Sequence, residues 1–254
     1  MSKLPKEHKF VDLSDYGRPV AKLIAQSLES TCFTPIHVTL LFVVSGLIAL
    51  MFMLFGWYSA AGIFLVLKSI LDAADGELAR IKDTPSYTGR FLDSISDIIL
   101  NLLIFSVIVW ISDTHPILGF LAFLCMQIQG TLYNYYYTIL RSQLEGDVTS
   151  RIFENEIPTA FPGEKQIHVT CMYKLYRVLY GSFDKLIYTL DFSAAKGKVL
   201  PNWFMTALSI FGLGFQLLLI SVLLIAGLKA YVAPIIIGLT VFVPVFVCVR
   251  KYLD

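Results

Sequence analysis

Residues 38–58 contain no charged side chain. About 20 such residues in a helix cross the roughly 30 Å hydrocarbon core of a bilayer, so this stretch alone restricts the chain to a membrane-spanning fold. A hydropathy window draws six spans, near 37–57, 59–80, 90–111, 116–140, 203–227 and 231–249. The composition agrees, at 56% hydrophobic and 15% charged over 254 residues, too few charges for a soluble domain of this length. The expected fold is all-α and integral to the membrane.

Orientation follows from the basic residues. The connections near 56–58, 112–115 and 227–229 hold only Lys229, whereas the other side holds nearly all the rest. There the first thirty residues carry Lys3, Lys6, Lys9, Arg18 and Lys22, the turn after span two carries Arg80, Lys82 and Arg90, and the C-terminus carries Arg250 and Lys251. Segment 141–202 adds more, from Arg141 and Arg151 to Lys198. Positive charge marks the cytoplasmic side, which predicts cytoplasmic termini, a cytoplasmic 80–90 turn and a cytoplasmic segment 141–202. No apolar run precedes Val38, so no secretory signal is expected. The chain divides into a cytoplasmic segment, 1–34, with an amphipathic juxtamembrane helix, and a membrane domain, 35–254, that includes 141–202.

Two stretches outside the spans are amphipathic. Residues 16–30 set Val20, Leu23, Ile24 and Leu28 opposite Arg18 and Lys22, and 166–190 mix aromatic residues with Lys174, Arg177 and Lys185. Both patterns suit the headgroup layer, or a helix packed on the bundle's cytoplasmic face. Residues 145–165, with Pro158, Pro162 and Gly163, read as a loop. Cys32, Cys125, Cys171 and Cys248 lie far apart with no CxxC spacing and read as inert thiols. A net charge of +1 gives no reason to expect a nucleic-acid partner.

The chemistry lies in residues 71–100. Asp72, Asp75, Gly76, Ala79 and Arg80 form one helical stripe at the end of span two, and Gly89, Asp93 and Asp97 form another at the start of span three. Adjacent antiparallel helices can bring these stripes together. An ionised carboxylate at membrane depth costs ~2.5–3.5 kcal/mol even on insertion-based scales, and four repel one another, so a divalent cation or a pair is the economical occupant. Gly76, Ala79 and Gly89 leave room for a nucleotide, and Arg80 can meet a phosphate. Small residues also serve helix packing, and a lone arginine can snorkel.

The pattern D-x2-D-G-x2-A-R-x8-G-x3-D-x3-D, complete here from Asp72 to Asp97, resembles the signature of the CDP-alcohol phosphotransferase family. The resemblance implies an enzyme that moves a substituted phosphate from a CDP-linked donor to an acceptor alcohol, releasing CMP, in phospholipid synthesis. It implies Mg²⁺ or Mn²⁺, as two ions, on Asp72, Asp75 and Asp93, with Asp97 as the base and a further possible ligand. Asp72, Asp75, Gly76, Ala79, Arg80, Gly89 and Asp93 would bind the nucleotide, and a homodimer is the family expectation. One departure stands out: Pro35-Ile36-His37-Val38-Thr39 keeps the Pro and Thr that often open the first span but lacks its Asn.

Acceptor selectivity is expected from polar residues on spans three to five, with Asn101, Asn134 and Arg141 favoured among candidates that include Gln127, Thr131, Tyr137 and Thr138. Lys68, one turn before Asp72, could pair with Asp72 or with a donor phosphate. The preferred form of the reaction joins CDP-diacylglycerol to a polar alcohol such as glycerol phosphate, inositol phosphate, serine or choline. The alternative joins a CDP-headgroup to a lipid alcohol such as diacylglycerol. A cation transporter is a reading of another class, disfavoured because the acids gather at one interface with none in spans four to six. A compact chain suggests a prokaryotic inner membrane.

Overall fold

The structure, a computed structural model, describes residues 9–144 and 156–253. Lys3, Lys6, Arg151 and the 145–155 part of the expected loop lie outside the described residues. Regular structure among the described residues is helical. The principal elements are α1 (Arg18–Leu28), α2 (Pro35–Leu54), α3 (Tyr58–Ile81), α4 (Tyr87–Ser112), α5 (Pro116–Gln143) and α6 (Gln166–Leu190). They continue with α7 (Asn202–Leu208), α8 (Leu213–Ile225), α9 (Val232–Leu239) and α10 (Phe242–Leu253).

The helix ends follow local chemistry. Pro35 occupies the first turn of α2, and Thr34 and His37 cap it reciprocally. The His37 amide donates to Thr34 Oγ1 at 3.4 Å, and the Thr34 amide donates to His37 Nδ1 at 3.0 Å. His37, an interfacial residue without a role in the sequence, is therefore a capping residue. Close approach is built in where α4 meets α5: a Cβ on Gly119 would lie 2.0 Å from Val109 Cγ2, so a larger residue there would have to displace the valine.

The protein is an integral membrane protein. Helices α2, α4 and α5 and the stretch Lys229–Leu253 are each long and apolar enough to cross a bilayer, and Asn202–Phe211 with Leu213–Ile225 makes a fifth span if the pair, bent by 51°, is counted as one. Four or five spans thus stand on composition, against six expected. Helix α3 is 24 residues long but carries Lys68, Asp72, Asp75, Glu77 and Arg80. Packing makes this tolerable, because α3 is flanked by α1, α2, α4-borne side chains and α8, so its charges meet protein rather than lipid.

The bend between α7 and α8 lies where the N-terminal residues pack on the bundle. Residues 9–17 pass as a strap beside Gly212 and Gly214, and a Cβ at Gly214 would sit 1.9 Å from the Ser14 carbonyl oxygen. The Leu13 amide donates to Ser209 Oγ (2.9 Å), and the Tyr133 hydroxyl donates to Asp12 Oδ2 (2.5 Å). Beyond the strap, α1 buries Ala21 and Ala25 against Ala74 and Leu78 of α3, leaving Val20 and Leu23 exposed. The amphipathic helix expected at 16–30 packs on the bundle through its small residues together with Ile24 and Leu28, while Val20 and Leu23 point away.

Helix α6 is tied down at both ends. Ahead of it, Glu164 accepts from Ser86 Oγ (2.8 Å) and from the amides of Tyr87 (3.1 Å) and Thr88 (2.8 Å), and so caps α4 from outside. Behind it, Asp191 is buried and pairs with Arg250 of α10, whose Nε donates at 2.5 Å. The Tyr136 hydroxyl donates to the same carboxylate at 2.7 Å. In between, Tyr180 donates to the Ser94 carbonyl at 3.1 Å. The helix therefore runs across the ends of α4, α5 and α10, and presents Leu175, Val178 and Leu186 outward.

Two predictions follow from these ties. Removing one partner of a buried ion pair leaves an uncompensated charge, so Asp191→Ala should lower stability by about 3–5 kcal/mol, read by thermal unfolding in detergent. Burial raises the Glu164 carboxyl, but the hydrogen bonds from Thr88, Ser86 and Tyr87 outweigh it and hold the group below its ordinary value. A carboxyl lowered on folding contributes fully above its unfolded value, about 4.3, and that contribution is lost as pH falls through the lowered folded value. Glu164→Gln should cost about 1 kcal/mol at neutral pH and should remove this acid-side loss from a stability–pH profile.

Candidate active site

Helices α3 and α4 run antiparallel, joined by the short turn at 82–86 that ends in Ser86, whose Oγ accepts from the Gly89 amide at 2.8 Å. This hairpin brings the two acidic stripes face to face. One carboxylate oxygen from each of Asp72, Asp75 and Asp93 lies within 4.8 Å of the others, a spacing at which one cation can contact all three. Asp93 Oδ1 is buried with no hydrogen-bond partner, and a buried carboxylate oxygen without one costs several kcal/mol in an apolar setting. An all-oxygen donor set of this kind suits Mg²⁺ or Mn²⁺. The residues present therefore fit a divalent metal.

Asp97 stands apart from that trio. Its Oδ1 accepts from Lys68 Nζ at 2.5 Å, and Lys68 is fully buried with its ammonium 4.8 Å from the centre of the Phe42 ring. The sequence offered Asp72 or a donor phosphate as the partner of Lys68; the partner is Asp97, on the facing helix. A second support was also invisible in the sequence: Thr39 Oγ1 of α2 donates to Asp75 Oδ2 at 2.7 Å, which gives the Thr of the Pro-x3-Thr opening a function.

Arg80 folds back along its own helix. It pairs with Glu77 at 3.2 Å, and a Cβ on Gly76 would lie 3.6 Å from its guanidinium. Glu77 in turn holds Arg18 at 2.5 Å, linking α1 to the motif. Arg18 also pairs with Asp15 of the strap.

All four aspartates line one cavity of about 440 Å³, within the usual size range for a small-molecule site. Gly76, Arg80, Asn101, Asn134 and Arg141 also line it, whereas Ala79 and Gly89 are not among its lining residues. Gly89 instead sits in the first turn of α4, where a Cβ would crowd Ser86 Oγ at 3.2 Å. Asn134 is exposed, whereas Asn101, Gln127 and Arg141 are buried, and each of these three has a polar atom without a partner. The strap contributes Asp12 and Ser14 to the wall, and α6 contributes Tyr176, Tyr180 and Asp184. Only periodicity hinted at α6, and nothing in the sequence pointed to the strap.

The family described as CDP-alcohol phosphatidyltransferase matches residues 32–247, which takes in α2 to α9, the first half of α10 and both halves of the acidic motif. The inner membrane protein YnjF of Escherichia coli (strain K12) is 33% identical over 87 residues, 34% of this chain and 42% of that protein. The chain thus matches less than half the length of this curated relative. Members of the family are generally dependent on divalent metal, and the trio of Asp72, Asp75 and Asp93 could hold one. With its match across most of its length, the chain belongs to the CDP-alcohol phosphatidyltransferase family.

Proposed function

We propose that this enzyme transfers the phosphatidyl group of CDP-diacylglycerol to a polar alcohol and releases CMP. The observation that carries the reading is the division of the four aspartates: three offer oxygens within 4.8 Å of one another, and the fourth is held by a buried lysine in the same cavity. Six crossings, with α3 as the polar second span, put the motif, both termini and segment 141–202 on the cytoplasmic side of a prokaryotic inner membrane. Two copies form a homodimer, as the family resemblance implies.

Asp72, Asp75 and Asp93 would hold two Mg²⁺ or Mn²⁺ ions, with Asp97 able to share one. Bound there, the ions supply positive charge to the pyrophosphate of the donor and to the departing CMP. Gly76 and Arg80, which line the cavity, serve the nucleotide, Arg80 as a phosphate partner beside the glycine that leaves it room. Asp97 is the catalytic residue. Its Oδ1 is anchored by Lys68, so Oδ2 takes the proton of the acceptor hydroxyl. The acceptor oxygen bonds to the phosphatidyl phosphorus, the bond from that phosphorus to the bridging oxygen breaks, and CMP leaves with the electron pair. Lys68 is a positioning residue that fixes the carboxylate plane. Asn101, Asn134 and Arg141 line the path of the acceptor.

The test is CMP release by purified enzyme in lipid vesicles. With CDP-diacylglycerol and a panel of alcohols, release should depend on Mg²⁺ or Mn²⁺ and stop on chelation. Asp97→Asn should lower kcat about a hundred- to ten-thousand-fold. CMP released only from a CDP-headgroup with diacylglycerol would reverse the donor assignment, and undiminished release by Asp97→Asn would sink the mechanism. Lys68→Met should lower kcat while the KM for the donor holds; equal loss in a Lys68→Met enzyme that has merely unfolded would show as a lower melting temperature.

A further inference from the structure

We infer that the acceptor is a neutral polyol whose second hydroxyl is bound between Asn101 and Gln127. The inference rests on the proposed transfer reaction and names the class of alcohol it uses.

Asn101 and Gln127 are 3% and 5% exposed, and both line the cavity. Asn101 Oδ1 and Gln127 Nε2 are buried without a hydrogen-bond partner. Buried amide atoms are rarely left so unless a ligand or ordered water completes them. Register places the two residues at the same level along α4 and α5. Gly119 of α5 abuts Val109 of α4, and eight residues along each antiparallel helix, about 12 Å, lead to Gln127 and Asn101. Both therefore sit at one level, one helical turn or about 6 Å beyond Asp97.

The chemistry of the pair is selective. Oδ1 needs a donor and Nε2 needs an acceptor. A hydroxyl satisfies both at once. A carboxylate or phosphate only accepts, an ammonium only donates, and a quaternary ammonium does neither. Thr131, one turn along α5 and also lining the cavity, can follow either role for a further hydroxyl.

Charge placement makes the acceptor neutral. Among the described residues, four arginines line the cavity: Arg18 and Arg80 are both paired with Glu77, Arg90 is seven residues from Asp97 along α4, about 10 Å, and Arg141 is fourteen residues from Gln127 along α5, about 21 Å. A small alcohol with one hydroxyl at Asp97 and another at Asn101 cannot also put a phosphate on Arg141. The nearest cation, Lys68, is already held by Asp97.

The test measures CMP release from CDP-diacylglycerol with glycerol, myo-inositol, glycerol 3-phosphate, inositol phosphate, serine, ethanolamine and choline, one at a time. The expected result is that a neutral polyol gives the highest kcat/KM. Gln127→Leu and Asn101→Leu should each raise the KM for that polyol about tenfold while the KM for CDP-diacylglycerol holds. A charged acceptor that outruns every neutral polyol overturns the inference and leaves phosphatidyl transfer standing, as does an unchanged polyol KM in both variants. The wild-type panel does not depend on either variant folding. Absence of CMP release with every acceptor and either class of donor overturns the transfer reading itself, and the inference with it.

Discussion

A fully buried ammonium, Lys68, joined to Asp97 across two helices, is the contact on which the rest of the bundle depends. A lysine and four carboxylates within the span-forming helices would be prohibitive in lipid. Their mutual attraction offsets part of the desolvation only if both partners stay dry and well aligned. That requirement explains why α3 is surrounded. α2 supplies the Phe42 ring beside the ammonium and the Thr39 hydroxyl for Asp75, α1 covers the far side with Ala21 and Ala25, and α8 closes the remaining flank. A span-length helix that carries these charges is enclosed by its neighbours because that is where the charges find partners.

The same contact shows what sequence could and could not tell. Periodicity put Asp72 and Asp75 on one face and Asp93 and Asp97 on another, because 3.6-residue spacing is a local property. It could not choose the partner of Lys68. Side chains on a helix tilt toward its N-terminus, which carries the Lys68 ammonium away from Asp72, one turn C-terminal, and across to α4. The positions of the four or five apolar spans were legible to within a few residues, since length and apolarity suffice, but these do not make a span of the charged α3. The capping role of His37 needed the reciprocal geometry with Thr34. The strap was illegible: Leu13 meets Ser209 and Asp12 meets Tyr133, contacts that no local pattern encodes. Gly212 and Gly214 carried the only trace, and glycine has too many uses for that trace to be read alone.

Segment 141–202 shows how an amphipathic stretch can satisfy two readings. Helix α6 turns Tyr173 and Ile187 inward and leaves Leu175, Val178 and Leu186 exposed, with Lys174, Arg177 and Lys185 among them. An apolar outer face with basic neighbours suits a headgroup layer, while its inner face supplies Tyr176, Tyr180 and Asp184 to the cavity wall. Glu164 and Asp191 fasten its two ends to α4 and α10. The segment is thus a wall of the site as well as a surface element, and its position is set by hydrogen bonds to helices far away in sequence.

The distribution of polar groups along the cavity follows from the cost of charge. Arg80 and Arg90 sit beside the 82–86 turn, where long cationic side chains can reach an interface at little cost. That is also where a donor bearing a pyrophosphate would need them. Farther from that turn along α4 and α5, the buried polar groups that line the cavity include the amides of Asn101 and Gln127. An amide carries a donor and an acceptor without a net charge, so it can be buried where an arginine would have to be paired. A site that must read an alcohol at that depth is therefore restricted to neutral hydrogen-bonding groups, and these groups favour a substrate that is itself neutral and hydroxylated. Depth in the membrane, more than any single residue, narrows which alcohols such a pocket can accept.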